Sequence, residues 1–418
     1  MRRFLTNLDF EQQLAGRPSS QAPHHRVDWS QIWLPFVRDE DQVLLDGRRS
    51  ISGAQLWRLN PELRHWMEQR EWASISADLE ARFDLGPLVS WGRCSPAQRQ
   101  RLGFGTAAGT DHPANDSADD RGYEIVRQVN RRSYRAKLEE QLGLALPGLR
   151  ICHAMDDLAA ALNPLSALDR WVLKAEFGMA GREACRGRGP VLTAAQTGWL
   201  RKQLQTGPVV FELWLDSIGE AGVQWQIPRS AMQHPRLLGV APLLTDQTGT
   251  YRGSLFGADC DLAPWQTAIA GTEAVAIAVQ ADGYHGPLGI DVMQYRTAPL
   301  SSDFAASSPP AGTALRGLQD LNARWTMGRI ALAWSAYLRP GECGAWIHPG
   351  RPSKHRENER DADQIAGDAA DLDSKVICLP LRSGDVGSET ATLTWLIIAP
   401  TPVSRQQAIE QRLASHAG

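Results

Sequence analysis

The stretch GPLGIDVMQYR, residues 286–296, alternates apolar side chains at Leu288, Ile290 and Val292 and sets one charge, Asp291, between the last two. Successive side chains of a strand point to opposite faces, so Asp291 looks away from that apolar row. A carboxylate in so apolar a strand is costly to bury unless something pairs with it. The next strand pattern, LRGLQDLNAR (315–324), spaces Asp320, Asn322 and Arg324 by two, which puts them on one face and Leu321, Ala323 and Trp325 on the other. Antiparallel pairing of the two strands would bring Asp291 to that face. The low-complexity segment TAPLSSDFAASSPPAGTA (297–314) would then be the hairpin loop between them.

Two carboxylates and an amide oxygen are hard oxygen donors, and magnesium needs only one or two carboxylates when substrate phosphates complete its shell. An arginine beside them suits phosphate oxygens. A polar strand face with a local salt bridge from Arg324 to Asp320 or Asp291 explains either strand alone. The two in succession favour metal binding.

Lys174 closes the apolar run WVLK and precedes the glycine-rich AEFGMAGREACRGRG (175–189), with Gly178 and Gly181 at its start. Only five of the 44 basic residues are lysines, so this chain uses arginine by default and a lysine at a strand end is informative. A strand lysine beside a glycine loop offers a point charge and backbone N–H groups to phosphates. The plain alternative is a strand-end lysine reaching water. VVFELWLDSIGEAGVQW (209–225) ends an apolar strand at Glu212 and places Glu220 at the start of the next. Glu212, Leu213, Trp214 and Leu215 could form a hinge whose backbone meets an adenine, with an acid reaching ribose hydroxyls. For that segment taken alone, an ordinary turn with solvent-facing acids is the better reading.

The rest of the sequence excludes more than it assigns. A net charge of −3 over 418 residues leaves no basic face for nucleic acid or an anionic membrane. No apolar run approaches a membrane span, and FLTNLDFEQQL after Met1-Arg2-Arg3 lacks the core of a signal peptide. Six cysteines stand singly, without a CxxC pair, which points to a reduced, cytoplasmic setting. GxxxxGK[ST], GxSxG, HExxH, the EF-hand loop and a strand-to-helix GxGxxG are all missing. Fifteen tryptophans are spread through the chain and read as core packing.

Strands separated by helices and hairpins imply an α/β or α+β fold with mixed sheets. Asn130 is the expected cap of a helix over RRSYRAKLEEQLG, with Tyr134, Leu138 and Leu142 on its buried face and Gly143 ending it. A buried helix is expected over 264–281 with Pro264 in its first turn, and another from about Met327 to Leu338. GTAAGTDHPANDSADDRG (105–122) reads as a linker, and the mixed-charge run 354–375 as a solvated loop.

The order of these parts resembles the ATP-grasp superfamily: a strand lysine, a glycine-rich loop, an acid-ended hinge strand, then GIDVM and DLNARWTMGR. The last two are similar to the family's paired metal strands, the second usually Glu-x-Asn-x-Arg, with Asp320 here one methylene shorter than glutamate. VNRRSYRAKL sets Arg131 or Arg132 where the family often has a second phosphate-binding lysine. The resemblance covers roughly residues 125–340. It implies an ATP-grasp nucleotide-binding domain over 123–340, preceded by a small α/β domain (1–122) and followed by strands and a helix that complete it (341–418). It also implies ATP and Mg2+ as cofactors. Asp291, Asp320 and Asn322 would hold the metal, and Lys174, Gly178, Gly181, Arg131, Arg132, Glu212–Leu215 and Glu220 would line the ATP site. Arg324 would act on the transferred phosphoryl group. The implied activity is a ligase that activates a small-molecule carboxylate as an acylphosphate for an amine or similar nucleophile. A catalytically weak ATP-binding or scaffold protein, or a phosphotransferase, are the alternatives.

Overall fold

Sixteen strands among the described residues fall into three sheets. The computed structural model describes residues 1–16, 29–45, 50–95, 98–99, 120–178, 183–246, 249–257, 259–260, 262–297, 312–348, 375–383 and 394–417. The expected charged loop at 354–375 and linker at 105–122 lie outside these residues except at their last positions, and α5 (below) already begins at Asp120.

The first sheet joins β1 (Arg3–Leu5), β2 (Gln42–Leu44), β3 (Ser50–Ser52) and β4 (Leu88–Ser90) in the order β3-β2-β1-β4, with β1 parallel to both neighbours. Its helices are α1 (Phe10–Leu14), α2 (Gly53–Arg58), α3 (Pro61–Glu68) and α4 (Trp72–Phe83). The second sheet is antiparallel, β5 (Arg150–Cys152), β6 (Arg170–Ala175), β7 (Ala184–Arg188) and β8 (Val209–Leu213), ordered β5-β8-β6-β7. Helices α5 (Asp120–Val129) and α6 (Arg132–Gln141) precede it, while α7 (Met155–Leu162) and α8 (Ala194–Leu204) bury Leu158, Leu162 and Leu200 against Trp171, Leu173 and Phe211.

The third sheet carries β9 (Asp216–Ile227), β10 (Arg236–Thr245), β11 (Tyr251–Gly257), β12 (Gly286–Thr297), β13 (Gly312–Asn322), β14 (Cys343–Ile347), β15 (Ile377–Leu381) and β16 (Thr394–Ala399). Its order is β13-β12-β9-β10-β11-β14-β16-β15, antiparallel throughout. Helices α9 (Gln266–Ala281), α10 (Met327–Ser335) and α11 (Pro402–Ala417) complete it. Leu288, Ile290 and Val292 pack with Val275, Ala276 and Val279 of α9, so the apolar row of β12 is used on one side of the sheet and Asp291 is left on the other. Among the described residues no helix is long and apolar enough to cross a membrane.

Three local expectations need correction. Pro264 lies in a 3-10 turn, Ala263–Trp265, and the α-helix starts only at Gln266. Asn130 does not cap α6. Its amide donates to Val126 O at 2.7 Å and its carbonyl oxygen accepts the Ala323 N–H at 3.0 Å, tying the α5–α6 corner to the end of β13. The inward side of α6 is not apolar either: Leu138 is buried, but so are Arg132, Arg135 and Glu139. Gly143 does end that helix. With φ +68° it turns the chain so that its own N–H reaches Glu140 O and the Leu144 N–H reaches Glu139 O.

One core runs from the first sheet into the third. Phe4, Trp33, Phe36 and Phe83 share it with Trp325, Trp334, Trp346 and Leu396. Trp325 is at the seam: its ring meets Trp33 and Phe36 edge-on, each at 5.4 Å, and stacks on Phe83 at 5.9 Å. Removing so large a buried ring costs transfer free energy and leaves a cavity. Trp325→Ala is therefore expected to lower the unfolding free energy by about 3–5 kcal/mol in urea titrations. A loss below about 1 kcal/mol would show that the seam is not packed as described.

Candidate active site

The two charged strands pair antiparallel, with Asp291 directly opposite Asp320 and Gly289 opposite Asn322. Asn322 Nδ2 donates to Asp291 Oδ2 at 3.2 Å. Burial, and after it the neighbouring Asp320, push the Asp291 carboxyl up to about 7 against the pull of Arg324. Gly289 is a close-approach position, since a Cβ there would stand 2.5 Å from Thr326 Cγ2. The Thr326 hydroxyl donates to Gln224 Oε1 at 2.7 Å and accepts the Arg329 N–H at 3.2 Å, which caps α10. The chain thus leaves β13 and turns into a helix beside β12 within a few residues.

Arg324 does not continue the spacing of two. β13 ends at Asn322, and the Arg324 N–H turns back to Asn322 O at 2.9 Å. Its guanidinium donates to Asn322 Oδ1 and to Trp325 O, both at 2.9 Å, pairs with Glu11 of α1, and lies 5.5 Å from the centre of the Trp91 ring. The residue is held from both sides, by the third sheet and by the first.

Lys174 sits at the centre of a second constellation. Its Nζ is 2.9 Å from Glu212 Oε2. Glu212 turns inward rather than toward a ligand: it is 1% exposed and also pairs with Arg135 of α6 and, at 2.9 Å, with Arg316 of β13. The same two arginines hold Glu139, Arg135 within its own helix and Arg316 at 3.1 Å. Burial pushes Glu212 up, but Arg135, Arg316 and Lys174 outweigh it and hold the carboxyl well below its usual range. Burial pushes Glu139 up and draws the Lys174 ammonium down. Arg316 is moved the other way, because its two carboxylates exceed the burial penalty.

Arg132 bridges the two constellations. It donates to Ala175 O at 2.9 Å and to Gly178 O at 3.2 Å, at the start of the glycine-rich loop, and stands 3.9 Å from Asp320 Oδ2. Arg131 is more open, 3.5 Å from Glu176 and over the Phe177 ring at 5.6 Å. Glu220 is raised by burial and feels Lys174, with Ser217 and Gln319 as hydrogen-bond partners. Along the hinge, Leu213 is buried and Leu215 half-buried. The Trp214 N–H is taken by Arg170 O at 2.8 Å, and its ring lies under Arg186 at 4.3 Å. Gly181 lies outside the described residues.

Glu139, Arg135 and Arg316 are site residues that sequence reasoning misses. The available signal is the i, i+4 spacing of Arg135 and Glu139, on a helix whose apolar positions draw attention first.

Taken as ions, Lys174, Arg135 and Arg316 face Glu139 and Glu212, which leaves one positive charge in excess. Beside it, Asp320 stands 3.9 Å from Arg132 and feels Lys174, while Asp291 feels Arg324, which also pairs with Glu11. The ammonium of the first group thus lies toward the carboxylates of the second, with Asp320 and Glu220 before it. Among the described residues no group of three His, Cys, Asp or Glu side chains could hold a metal by itself. A cation here would need donors from elsewhere, such as phosphates, alongside Asp291, Asp320 and Asn322.

No family model and no curated protein matches the sequence. Solved structures do. The chain is similar to N5-carboxyaminoimidazole ribonucleotide synthetase from Thermus thermophilus, at 11% identity and TM-score 0.50, over 100% of this chain and 99% of that one. It is also similar to N5-carboxyaminoimidazole synthase from Aspergillus clavatus, solved with ADP and 5-aminoimidazole ribonucleotide, at 11% identity and TM-score 0.50 over 99% and 98%. At that identity the likeness concerns the fold alone, which is the ATP-grasp fold.

Asp291 gives a pH test without any ligand. Folded, it keeps its proton up to about pH 7; unfolded, only to about pH 4. The native state therefore binds more protons in that window, and stability falls as pH rises through it. Asp291→Asn should be more stable than wild type by about 1–2 kcal/mol at pH 8 and indistinguishable below about pH 4, read by urea unfolding. A variant less stable at pH 8 would show that Asp291 is already neutralised by protein groups.

Proposed function

We propose that this chain, built on the ATP-grasp fold, binds ATP with magnesium and activates a small-molecule carboxylate as an acylphosphate for attack by an amine or similar nucleophile. The observation that carries the reading is the adjacency of a partly exposed ammonium, Lys174, and the paired carboxylates of Asp291 and Asp320, which a magnesium-bound polyphosphate would satisfy together. The neighbours' synthetase and synthase names, and the ADP bound to the one from Aspergillus clavatus, support it.

In this reading the Lys174 ammonium meets phosphate oxygens, and Arg132 fixes the first carbonyls of the glycine-rich loop while standing beside Asp320. Asp291, Asp320 and Asn322 would hold magnesium, which when bound would offset negative charge developing on the phosphates. Arg324 is a fixed planar cation that acts on Asp291 and contacts its partner Asn322. Held by Asn322, Trp325 and Glu11, it needs no reorganisation to stabilise charge on a transferring group. A catalytically weak ATP-binding protein is the second reading. Its specific support is the same engagement of Arg324, together with the shorter Asp320 in a place where the family has glutamate.

Magnesium-dependent ATP binding tests the first step. Lys174→Met should weaken binding by on the order of tenfold or more while shifting the ligand-free melting temperature by only a few degrees, because Glu212 keeps two arginines. Asp291→Asn should abolish the magnesium dependence. ADP release that requires both an added carboxylate and an added amine identifies the ligase, and binding without turnover across a broad panel identifies the weaker reading. Wild-type affinity for ATP that ignores magnesium would sink the metal assignment.

A further inference from the structure

Five ionisable side chains from four elements meet in one cluster, and four of them are at most 4% exposed: Arg135 and Glu139 of α6, Glu212 of β8 and Arg316 of β13. Lys174 of β6 is the fifth and the most open, at 17% side-chain exposure. The four inner groups are two guanidiniums and two carboxylates, which cancel. Each carboxylate touches both guanidiniums, so the quartet is closed upon itself. Lys174 is attached to it through a carboxylate that is already matched.

That arrangement decides what the ammonium can do. Had Glu212 only Lys174 for a partner, the pair would be neutral, and an arriving anion would have to compete with a buried carboxylate for the lysine. With Glu212 claimed by two arginines, the carboxylate orients the ammonium but does not cancel it. The excess charge is exposed where Lys174 is exposed, facing Glu220 and Asp320.

We propose that the polyphosphate affinity of this site is set by the net charge of the whole five-residue cluster rather than by Lys174 alone, with Arg135 and Arg316 acting as positioning residues through Glu212. The inference rests on the reading of Lys174 as a phosphate-binding group. It adds two arginines, remote from any ligand, that the nucleotide reading does not require. It also explains why a chain poor in lysine places two buried arginines behind one of its five.

Counting charges makes the test specific. Arg316→Met brings the cluster to zero, and Arg316→Met with Glu212→Gln restores it to plus one while also removing a buried ion pair as a unit. Removing both partners of such a pair is far better tolerated than removing one. Titration calorimetry with MgATP, and in parallel with inorganic tripolyphosphate, reads affinity; melting of the ligand-free proteins reads folding. One unit charge acting in a partly buried site changes binding by on the order of tenfold or more. The single variant is expected to lose that much for both ligands, and the double variant to return to within about threefold of wild type. A folded double variant as weak as the single one overturns the proposal, because geometry rather than charge would then be at stake. Should Arg316→Met fail to fold, Glu212→Gln alone raises the cluster to plus two and must bind tripolyphosphate at least as tightly as wild type; weaker binding overturns the proposal. A wild-type protein that binds tripolyphosphate but not MgATP removes the nucleotide reading and keeps the charge rule, whereas binding neither ligand removes both.

Discussion

Glu212 is gripped by three cations that come from three different elements, α6, β6 and β13, and much of the site's geometry descends from that grip. β6 and β8 belong to the small antiparallel sheet, while β13 is the edge of the large one. A carboxylate that binds Lys174 on its own sheet and Arg316 on the other therefore fixes the distance between the lysine and the strand bearing Asp320 and Asn322. Buried ion pairs are seldom a net source of stability, because desolvation offsets much of the attraction. Breaking one is nonetheless expensive, so a closed quartet resists any arrangement in which the two sheets separate.

The same strand does both jobs. Arg316 sits in the buried quartet, and Asp320 and Asn322 lie a few residues on, opposite Asp291 and Gly289. Between these two parts the β12–β13 register shifts, which lets one strand present the buried Arg316 and the more open Asp320 to different surroundings. Beyond Asn322 the chain turns sharply, and Asn130 receives the Ala323 N–H, so the α5–α6 corner is fastened at the point where the strand stops.

Much of this is legible in the sequence where local rules govern. Alternation at Leu288, Ile290 and Val292 identifies the buried row, and spacing identifies Asp320 and Asn322 as one face. The antiparallel pairing that unites Asp291 with them is what the structure has. Spacing fails at Arg324 because it assumes an unbroken strand, and nothing in LNAR announces that the strand ends two residues earlier. Asn130 defeats the capping rule for a related reason: its side chain has a long-range partner at residue 323, and a capping rule sees only its neighbours. Glu212 reads as facing a ligand because acids at strand ends are usually solvated. Its three cations lie 77, 38 and 104 residues away, which no window of sequence can connect. Residues outside the described stretches, Gly181 among them, add nothing to either side of that comparison.

Arg324 ties the first sheet to the third. Its guanidinium reaches Asn322 on one side and Glu11 and the Trp91 ring on the other, and the Trp325 N–H donates to Trp91 O at 2.9 Å. The first sheet is thereby attached at the edge of the carboxylate pair, next to the core that Trp325 shares with Trp33, Phe36 and Phe83. A planar cation with donors fixed in two directions cannot be replaced by an ammonium, which keeps the charge but loses the fork. The consequence is that binding geometry and packing are coupled here: whatever shifts the Trp325 seam also shifts Arg324, and with it the only arginine that stands against Asn322 among the described residues. Placing that cation on such a seam costs freedom to vary the core, and in return the guanidinium is held by the protein's own groups.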